Sequence, residues 1–361
     1  LTAISEKDLL LKVLSDPAMT VSVAGCSKNA GKTTVMNVLT RNWQETRLGI
    51  LSIGIDGEDA DFWLGIPKPR VAVVPGTIIA TAERALDAST ADMKIVQRTG
   101  IGTPLGELVI AEAVTPGMVL LAGIRHKADV ADICSRMKYI GAGKIVIDGA
   151  YQRLMSADPD ISDGLILATG AILGKTVAEV TEKSLEFIDR IRLPQIDDPI
   201  FQSLFQLTVT TGMAVMCGRD GAMTTADGPG PEAALALVAK PGYQTVAMAV
   251  PGVIPPGFCD RLAGGPGCGA LLKDGCTFTL LIQDATRIFI KGDEFNRFVR
   301  KGHRIQVAKR IHLIAIAINP VSVLGYTLPS EELVAAIEKM VPGIPVVDFV
   351  AASAHNSGAS V

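Results

Sequence analysis

Aromatic side chains are scarce, with two tryptophans, four tyrosines and ten phenylalanines making up 4% of 361 residues. A core must therefore be built from Val, Ile, Leu, Ala and Met. The 48% hydrophobic content is sufficient for that, and the length accommodates two domains. No basic block occurs and the formal net charge is only −3, which argues against a large nucleic-acid footprint. No apolar stretch reaches the ~20 residues of a membrane span; Ile311–Ile318 is typical of the longest. The first twenty residues include Glu6, Lys7, Asp8, Lys12 and Asp16, so no signal peptide and a cytoplasmic location are expected. The cysteines at 26, 134, 217, 259, 268 and 276 form no Cys-x-x-Cys pair. Buried free thiols are expected, with a metal cluster of Cys259, Cys268 and Cys276 as the weaker alternative. His126, His303, His312 and His355 have neither ligand spacing nor a triad context.

Against these absences stands one stretch, Thr20-Val-Ser-Val-Ala-Gly-Cys-Ser-Lys-Asn-Ala-Gly-Lys-Thr-Thr-Val35. An apolar run leads into small residues, then Gly31-Lys32-Thr33 and a helix-like segment, the strand–loop–helix setting of a phosphate-binding loop. Small residues let backbone N–H groups turn in on a phosphate chain, and the helix aims its positive end at the same anion. Gly25, Ser27, Lys28, Asn29, Ala30, Gly31, Lys32, Thr33 and Thr34 are the candidate nucleotide-binding residues. Lys32 would neutralise β/γ-phosphate oxygens, and the Thr33 hydroxyl would ligate Mg²⁺. Five residues separate Gly25 from Gly31 where four are usual. Either the loop is one residue longer, or Gly25 ends the strand and Cys26 takes the turn. A second Gly-Lys-Thr, at 174–176, follows bulky Ile172 and Leu173; these hinder backbone approach to a phosphate, so an ordinary strand–helix connection is expected there.

Two acids close apolar strands. Asp56 follows Leu51–Ile55, and Asp148 follows Lys144–Ile147 in the manner of a Walker B element. At the carboxyl ends of a parallel sheet both would flank the loop. One would hold Mg²⁺ with Thr33 and the other would orient water, giving Lys32, Asp56 and Asp148 as the catalytic set. The alternative is that each Asp-Gly pair only starts a turn. Glu58, Asp59 and Asp61 fit a solvated loop, and Lys68-Pro69-Arg70 a surface turn. No Asn/Thr-Lys-x-Asp guanine-reading motif occurs, so ATP is favoured over GTP.

Apolar runs at Val21–Ala24, Ile50–Ile55, Val71–Val74, Leu108–Ile110, Met118–Ala122, Ile145–Ile147 and Leu165–Ala168 alternate with helical patterns at Lys32–Trp43, Ile79–Leu86, Lys127–Lys138 and Val177–Ile191. This predicts an α/β fold: a nucleotide-binding domain over 1–191 whose mostly parallel sheet is flanked by helices, with an antiparallel edge from 89–116. The proline- and aspartate-rich segment 192–201 marks a boundary. A second, smaller α/β or α+β domain is expected over 202–350. Its strands would be Thr245–Val250, Phe278–Ile282, Arg287–Ile290 and Ile311–Ile318, its helices Asp293–Val299 and Ser330–Met340, and a loose tail would follow over 351–361.

Lys28–Thr34 resembles the loops of the P-loop class that includes dethiobiotin synthetase-like ligases and molybdopterin-guanine-dinucleotide accessory proteins, and Asp148-Gly-Ala150 resembles that class's second acidic motif. Ser27 stands where ParA-like members have their signature lysine. Gly25–Thr33, Ser52–Glu58, Lys68-Pro69 leading to Pro75-Gly-Thr77, Ala80-Thr-Ala82, Leu167–Ala171 and Ile318-Asn-Pro320 together resemble the reactivase subunit encoded alongside lysine 5,6-aminomutase. That resemblance implies a Mg-ATP-dependent NTPase that restores an adenosylcobalamin (B12)-dependent aminomutase by releasing damaged cobalamin. Its partners would be a second reactivase subunit and the mutase. The absence of an Asp-x-His-x-x-Gly cobalamin motif fits a chaperone-like role. The alternatives are an ATP-dependent ligase of the dethiobiotin synthetase type and a nucleotide-binding scaffold with little hydrolysis. Residues 200–350 would face the partner, or act as a lid.

Overall fold

The computed structural model describes residues 6–43, 46–53, 70–149, 154–240, 245–272 and 275–351. Two compact units divide the chain, Leu1–Leu185 with His312–Val361, and Glu186–Ile311. The first unit begins with α1 (Glu6–Leu14), β1 (Thr20–Gly25), α2 (Lys32–Asn42), β2 (Leu48–Ser52), β3 (Arg70–Val73), β4 (Ile78–Ala82) and a single helical turn, α3 (Glu83–Leu86). It continues through β5 (Met93–Thr103), β6 (Gly106–Ala113), β7 (Gly117–Leu120), α4 (Lys127–Tyr139), β8 (Lys144–Asp148) and β9 (Gly164–Gly170). α5 (Val177–Ile191) leads into the second unit. There follow α6 (Pro199–Thr211), β10 (Val215–Gly218), β11 (Met223–Thr225), α7 (Pro231–Val238), β12 (Thr245–Ala249), α8 (Phe258–Ala263), β13 (Thr279–Ile282), α9 (Gly292–Arg300) and β14 (Arg304–Val307). β15 (Leu313–Asn319), α10 (Ser330–Met340) and β16 (Val346–Asp348) belong again to the first unit.

The first unit holds a nine-stranded sheet in the order β16-β15-β9-β1-β8-β2-β4-β6-β5, and outside it β3 and β7 form a separate antiparallel pair. All pairs from β16 to β4 are parallel, and β6 and β5 add an antiparallel edge. A parallel sheet has to be covered on both faces, and neighbouring residues divide accordingly. Val21, Val23, Ile50, Ile79 and Val146 join Val35, Val38 and Leu39 of α2 in one core. Leu51, Ile78, Ile145 and Ile147 join Val130, Ile133 and Met137 of α4 in another. The second unit is a mixed sheet ordered β11-β10-β12-β13-β14. Its β12, β13 and β14 run parallel, and β10 is antiparallel to both its neighbours.

The architecture is the expected α/β one with a large, mostly parallel sheet flanked by helices, and the edge from 89–116 is present as β5 and β6. Several elements differ. The segment Ile79–Leu86 was expected to be helical, yet Ile78–Ala82 is a strand buried along its whole length. Pairing between β2 and β6 overrides its helical spacing, which survives only in Glu83–Leu86. Residues 312–350 were assigned to the second domain; the strand expected at Ile311–Ile318 forms, but as β15 it pairs with β9 of the first sheet. Arg287–Ile290 is not a strand: Ala285–Arg287 form a 3₁₀ turn and Ile288 makes only an isolated bridge to Ile254. α6, α7, β10, β11 and β14 were not foreseen. Four cysteines are buried thiols outside any disulfide, as expected, but Cys268 is exposed and Cys276 half-buried. No set of three metal-capable side chains occurs among the described residues, and none of their helices is long and apolar enough to cross a membrane. The tail beyond Ala351 lies outside the described residues.

His303 is buried in the second unit against Phe298, ring centroids 4.9 Å apart, and Phe278, at 6.4 Å. Burial, with the nearby Lys301 charge, lowers its pKa from the ordinary histidine value. The unfolded chain then binds this proton more tightly than the folded one. The stability that neutral His303 provides is present above its unfolded value and is lost as pH falls towards the depressed folded value. Thermal melts from about pH 7 down to about pH 5 should show a declining midpoint, and the decline should be shallower in His303→Phe. Parallel curves for the two proteins would refute this assignment.

Candidate phosphate-binding site

β1 lies where the strand order reverses. β8, β2 and β4 continue on one side of it and β9, β15 and β16 on the other. In open α/β sheets such a switch point, at the carboxyl ends of the strands, is where ligands bind. Three chain segments emerge there: the loop after β1, Asp148 at the end of β8, and Gly170 at the end of β9. Register places Asp148 beside Val23 of β1 and Ser52 of β2.

The loop resolves the ambiguity about its glycines. Gly25 is the last residue of β1, while Cys26 still donates its N–H to Ala168 O at 2.9 Å before the chain turns. The turn into α2 uses left-handed backbone at Asn29 (φ 62°) and Gly31 (φ 104°). Asn29 is the one non-glycine residue with positive φ among those described, a conformation asparagine tolerates better than most. The Lys32 side chain runs back over the loop. A Cβ at Gly25 would lie 3.2 Å from Lys32 Cγ, 3.1 Å from Ser27 O and 3.4 Å from Ala30 Cβ. Glycine at 25 thus makes the room in which the lysine stem lies.

The electrostatics of α2 set it apart. Its cap, Gly31, offers no side-chain hydrogen bond, and no acid occupies its first turn. Its first internal hydrogen bond is Val35 N to Gly31 O, at 3.1 Å. The N–H groups of Lys32, Thr33 and Thr34 precede it and so have no partner inside the helix. Among the described residues the side chains of Lys32, Thr33 and Thr34 have no hydrogen-bond or ion-pair partner either. Every helix from α3 to α10 has an acid at its cap or in its first turn: Glu83, Asp129, Glu179, Asp198, Glu232, Asp260, Asp293 and Glu331 respectively. The second Gly-Lys-Thr shows the contrast. Lys175 N is satisfied by Glu179 Oε2 at 2.8 Å, and residues 171–173 form a 3₁₀ turn. It is a strand–helix connection, as expected.

Of the candidate residues, the structure brings Gly25, Ser27, Lys28, Asn29, Ala30, Gly31, Lys32, Thr33 and Thr34 into one loop and helix start. Asp148 stands at the same edge of the sheet. Asp56, with Glu58, Asp59 and Asp61, lies outside the described residues. Asn319 is a neighbour that sequence reasoning did not assign to the loop. It ends β15, two strands from β1, and its Cβ would be 3.0 Å from a Cβ placed on Gly31. An apolar strand closing on an Asn-Pro pair was the only available signal, and the assignment of β15 to the second domain concealed it. Comparison with family models, with curated proteins and with solved structures finds no match.

The two glycines should behave differently. At Gly31 an alanine meets both positive φ and Asn319, so Gly31→Ala should cost about 1–3 kcal/mol of stability. At Gly25 φ is not positive and the neighbours need yield only a few tenths of an ångström, so crowding acts without backbone strain and Gly25→Ala should cost less than Gly31→Ala. Urea denaturation of both variants measures this; equal losses would contradict it.

Proposed function

We propose that residues 25–34 bind the phosphates of Mg-ATP and that the chain is an NTPase. We further propose that it is a subunit of a reactivating factor for an adenosylcobalamin-dependent lysine aminomutase. The observation that supports phosphate binding best is the start of α2. It is the described helix start, from α2 onward, that has no acid at its cap or in its first turn, and it lies in a loop that places Lys32 over Gly25. An incoming polyanion would supply the missing negative charge. Thr33 and Asp148 are the residues that would hold Mg²⁺, which when bound neutralises phosphate charge. Asp56 is the further candidate from the sequence. ATP rather than GTP is favoured by the lack of a guanine-reading motif.

The partner role rests on the sequence resemblance. A surface in the second unit agrees with it. α6 has no charged residue from Pro199 to Thr211, and it exposes Ile200, Leu207 and Val209. A helix with uncharged, partly apolar outward positions suits contact with another protein.

Calorimetry with Mg-ATP tests the site. Lys32→Ala should weaken binding by roughly ten- to a hundredfold, the loss of a charge-assisted hydrogen bond, while leaving the unfolding midpoint unchanged. Unchanged affinity would remove the loop from the proposal. Asp148→Asn should lower hydrolysis more than nucleotide affinity. For the role, ATPase activity should rise when the companion subunit or an inactivated aminomutase is added. Turnover with a small carboxylate substrate and no protein partner would instead identify a ligase.

A further inference from the structure

Asp148 is the last residue of β8, and the alternation of that strand decides which way it faces. Consecutive strand residues point to opposite faces of a sheet. Ile145 and Ile147 belong to the core that α4 covers, and Val146 belongs to the core that α2 covers. Asp148 therefore continues the α2 face. Its register partner Val23 lies in the same α2 core. Gly149, the next residue, comes back to the α4 side.

That side is closed by a 3₁₀ turn at Leu154–Ala157. Met155 packs onto the α4 core. Ser156 is buried and accepts a hydrogen bond from Ser22 Oγ at 2.7 Å. Ser22 lies between Val21 and Val23 on β1, so it too faces the α4 side. A Cβ placed on Gly149 would stand 2.2 Å from Ser156 Oγ, 3.1 Å from Ser156 Cβ and 3.1 Å from Val23 O. Gly149 already donates its N–H to that Val23 O at 2.9 Å. Glycine supplies an Asp-Gly turn with positive φ, but φ at Gly149 is not positive. The glycine is needed here for the close approach of Ser156. In a close-packed interior a side chain at 149 would have to push the end of β8 away from Ser156, and Asp148 would move with it.

We propose that Ser156 is a positioning residue: by closing the α4 side against Gly149 it holds Asp148 on the face where α2 begins. Ser22 fixes Ser156 in turn. This role rests on the reading that Thr33 and Asp148 hold the Mg²⁺ of a nucleotide bound at residues 25–34. Mg²⁺ demands ligands at about 2.1 Å in near-octahedral geometry, so a carboxylate that serves it needs a fixed support.

The test exchanges side chains across the contact. Titration calorimetry compares ATP with Mg²⁺ and ATP with a chelator on the wild type, Gly149→Ala, Ser156→Gly and the double variant. Affinity for metal-free ATP should stay within about twofold in all four, because the loop itself is untouched. The ratio of Mg-ATP affinity to metal-free affinity should fall at least about threefold in each single variant. In Gly149→Ala the strand end is displaced, and in Ser156→Gly nothing closes the α4 side. The double variant carries a methyl group on one side of the contact in place of the hydroxymethyl group on the other. Its ratio should return to within about twofold of the wild type, a rescue that general destabilisation cannot give. An unchanged ratio in either single variant, or a double variant no better than Gly149→Ala, would overturn the positioning role alone. A wild-type chain that binds ATP with no gain from Mg²⁺ would overturn the metal reading and this role with it. A wild-type chain that binds no ATP would overturn the phosphate-loop reading as well.

Discussion

β1 is gripped from every direction. It hydrogen-bonds in parallel to β8 and to β9, and all six of its residues are buried. A strand so enclosed can release the chain only at its carboxyl end, and the chain must then turn quickly into a helix that covers the sheet. The left-handed residues Asn29 and Gly31 make that turn, and Val35, Val38 and Leu39 seal α2 onto the sheet beside Val21 and Val23. The position of Lys32 and the orientation of the α2 N-terminus both follow from this confinement. So does the presence of Asp148 alongside, since β8 is held to β1 in fixed register.

The loop was legible because its chemistry is local: a strand, small residues, Gly-Lys-Thr and a helix appear in order in one short segment. The parallel core was legible because strands buried on both faces read as unbroken apolar runs. What failed was non-local. Ile78–Ala82 reads as the start of a helix until β2 and β6 close on it. β15 reads as part of whatever precedes it in the chain, and only its pairing with β9 assigns it to the first sheet. With β15 misassigned, Asn319 could not be seen as a neighbour of Gly31. α6 was hidden because Pro199, which begins it with Asp198 as its cap, belongs to the segment whose composition marks a domain boundary.

Acidic side chains serve the described helix starts from α3 to α10. Glu294 is the clearest case. Buried almost completely, it accepts hydrogen bonds from Gly257 N and Cys259 N at 2.9 and 3.0 Å, satisfying the start of α8 from a neighbouring helix. Asp198 does the same for α6, accepting from Ile200 N at 2.7 Å. Buried peptide N–H groups need partners, and from α3 to α10 each described helix start has an acid at its cap or in its first turn. The start of α2 departs from the pattern at the point where the sheet topology favours a ligand.

The second unit interrupts the first between β9 and β15, which are adjacent strands. During synthesis the ribosome delivers the chain in order. Glu186–Ile311 therefore emerges whole, with its own five-stranded sheet, while the larger sheet still lacks β15 and β16. Until residue 319 has left the exit tunnel, β9 has an open flank and Gly31 lacks Asn319 beside it. All five strands of the inserted unit emerge before the surrounding sheet receives its last two. A truncated translation product would thus contain the whole loop sequence from Gly25 to Thr34 while lacking part of the sheet that holds it in place.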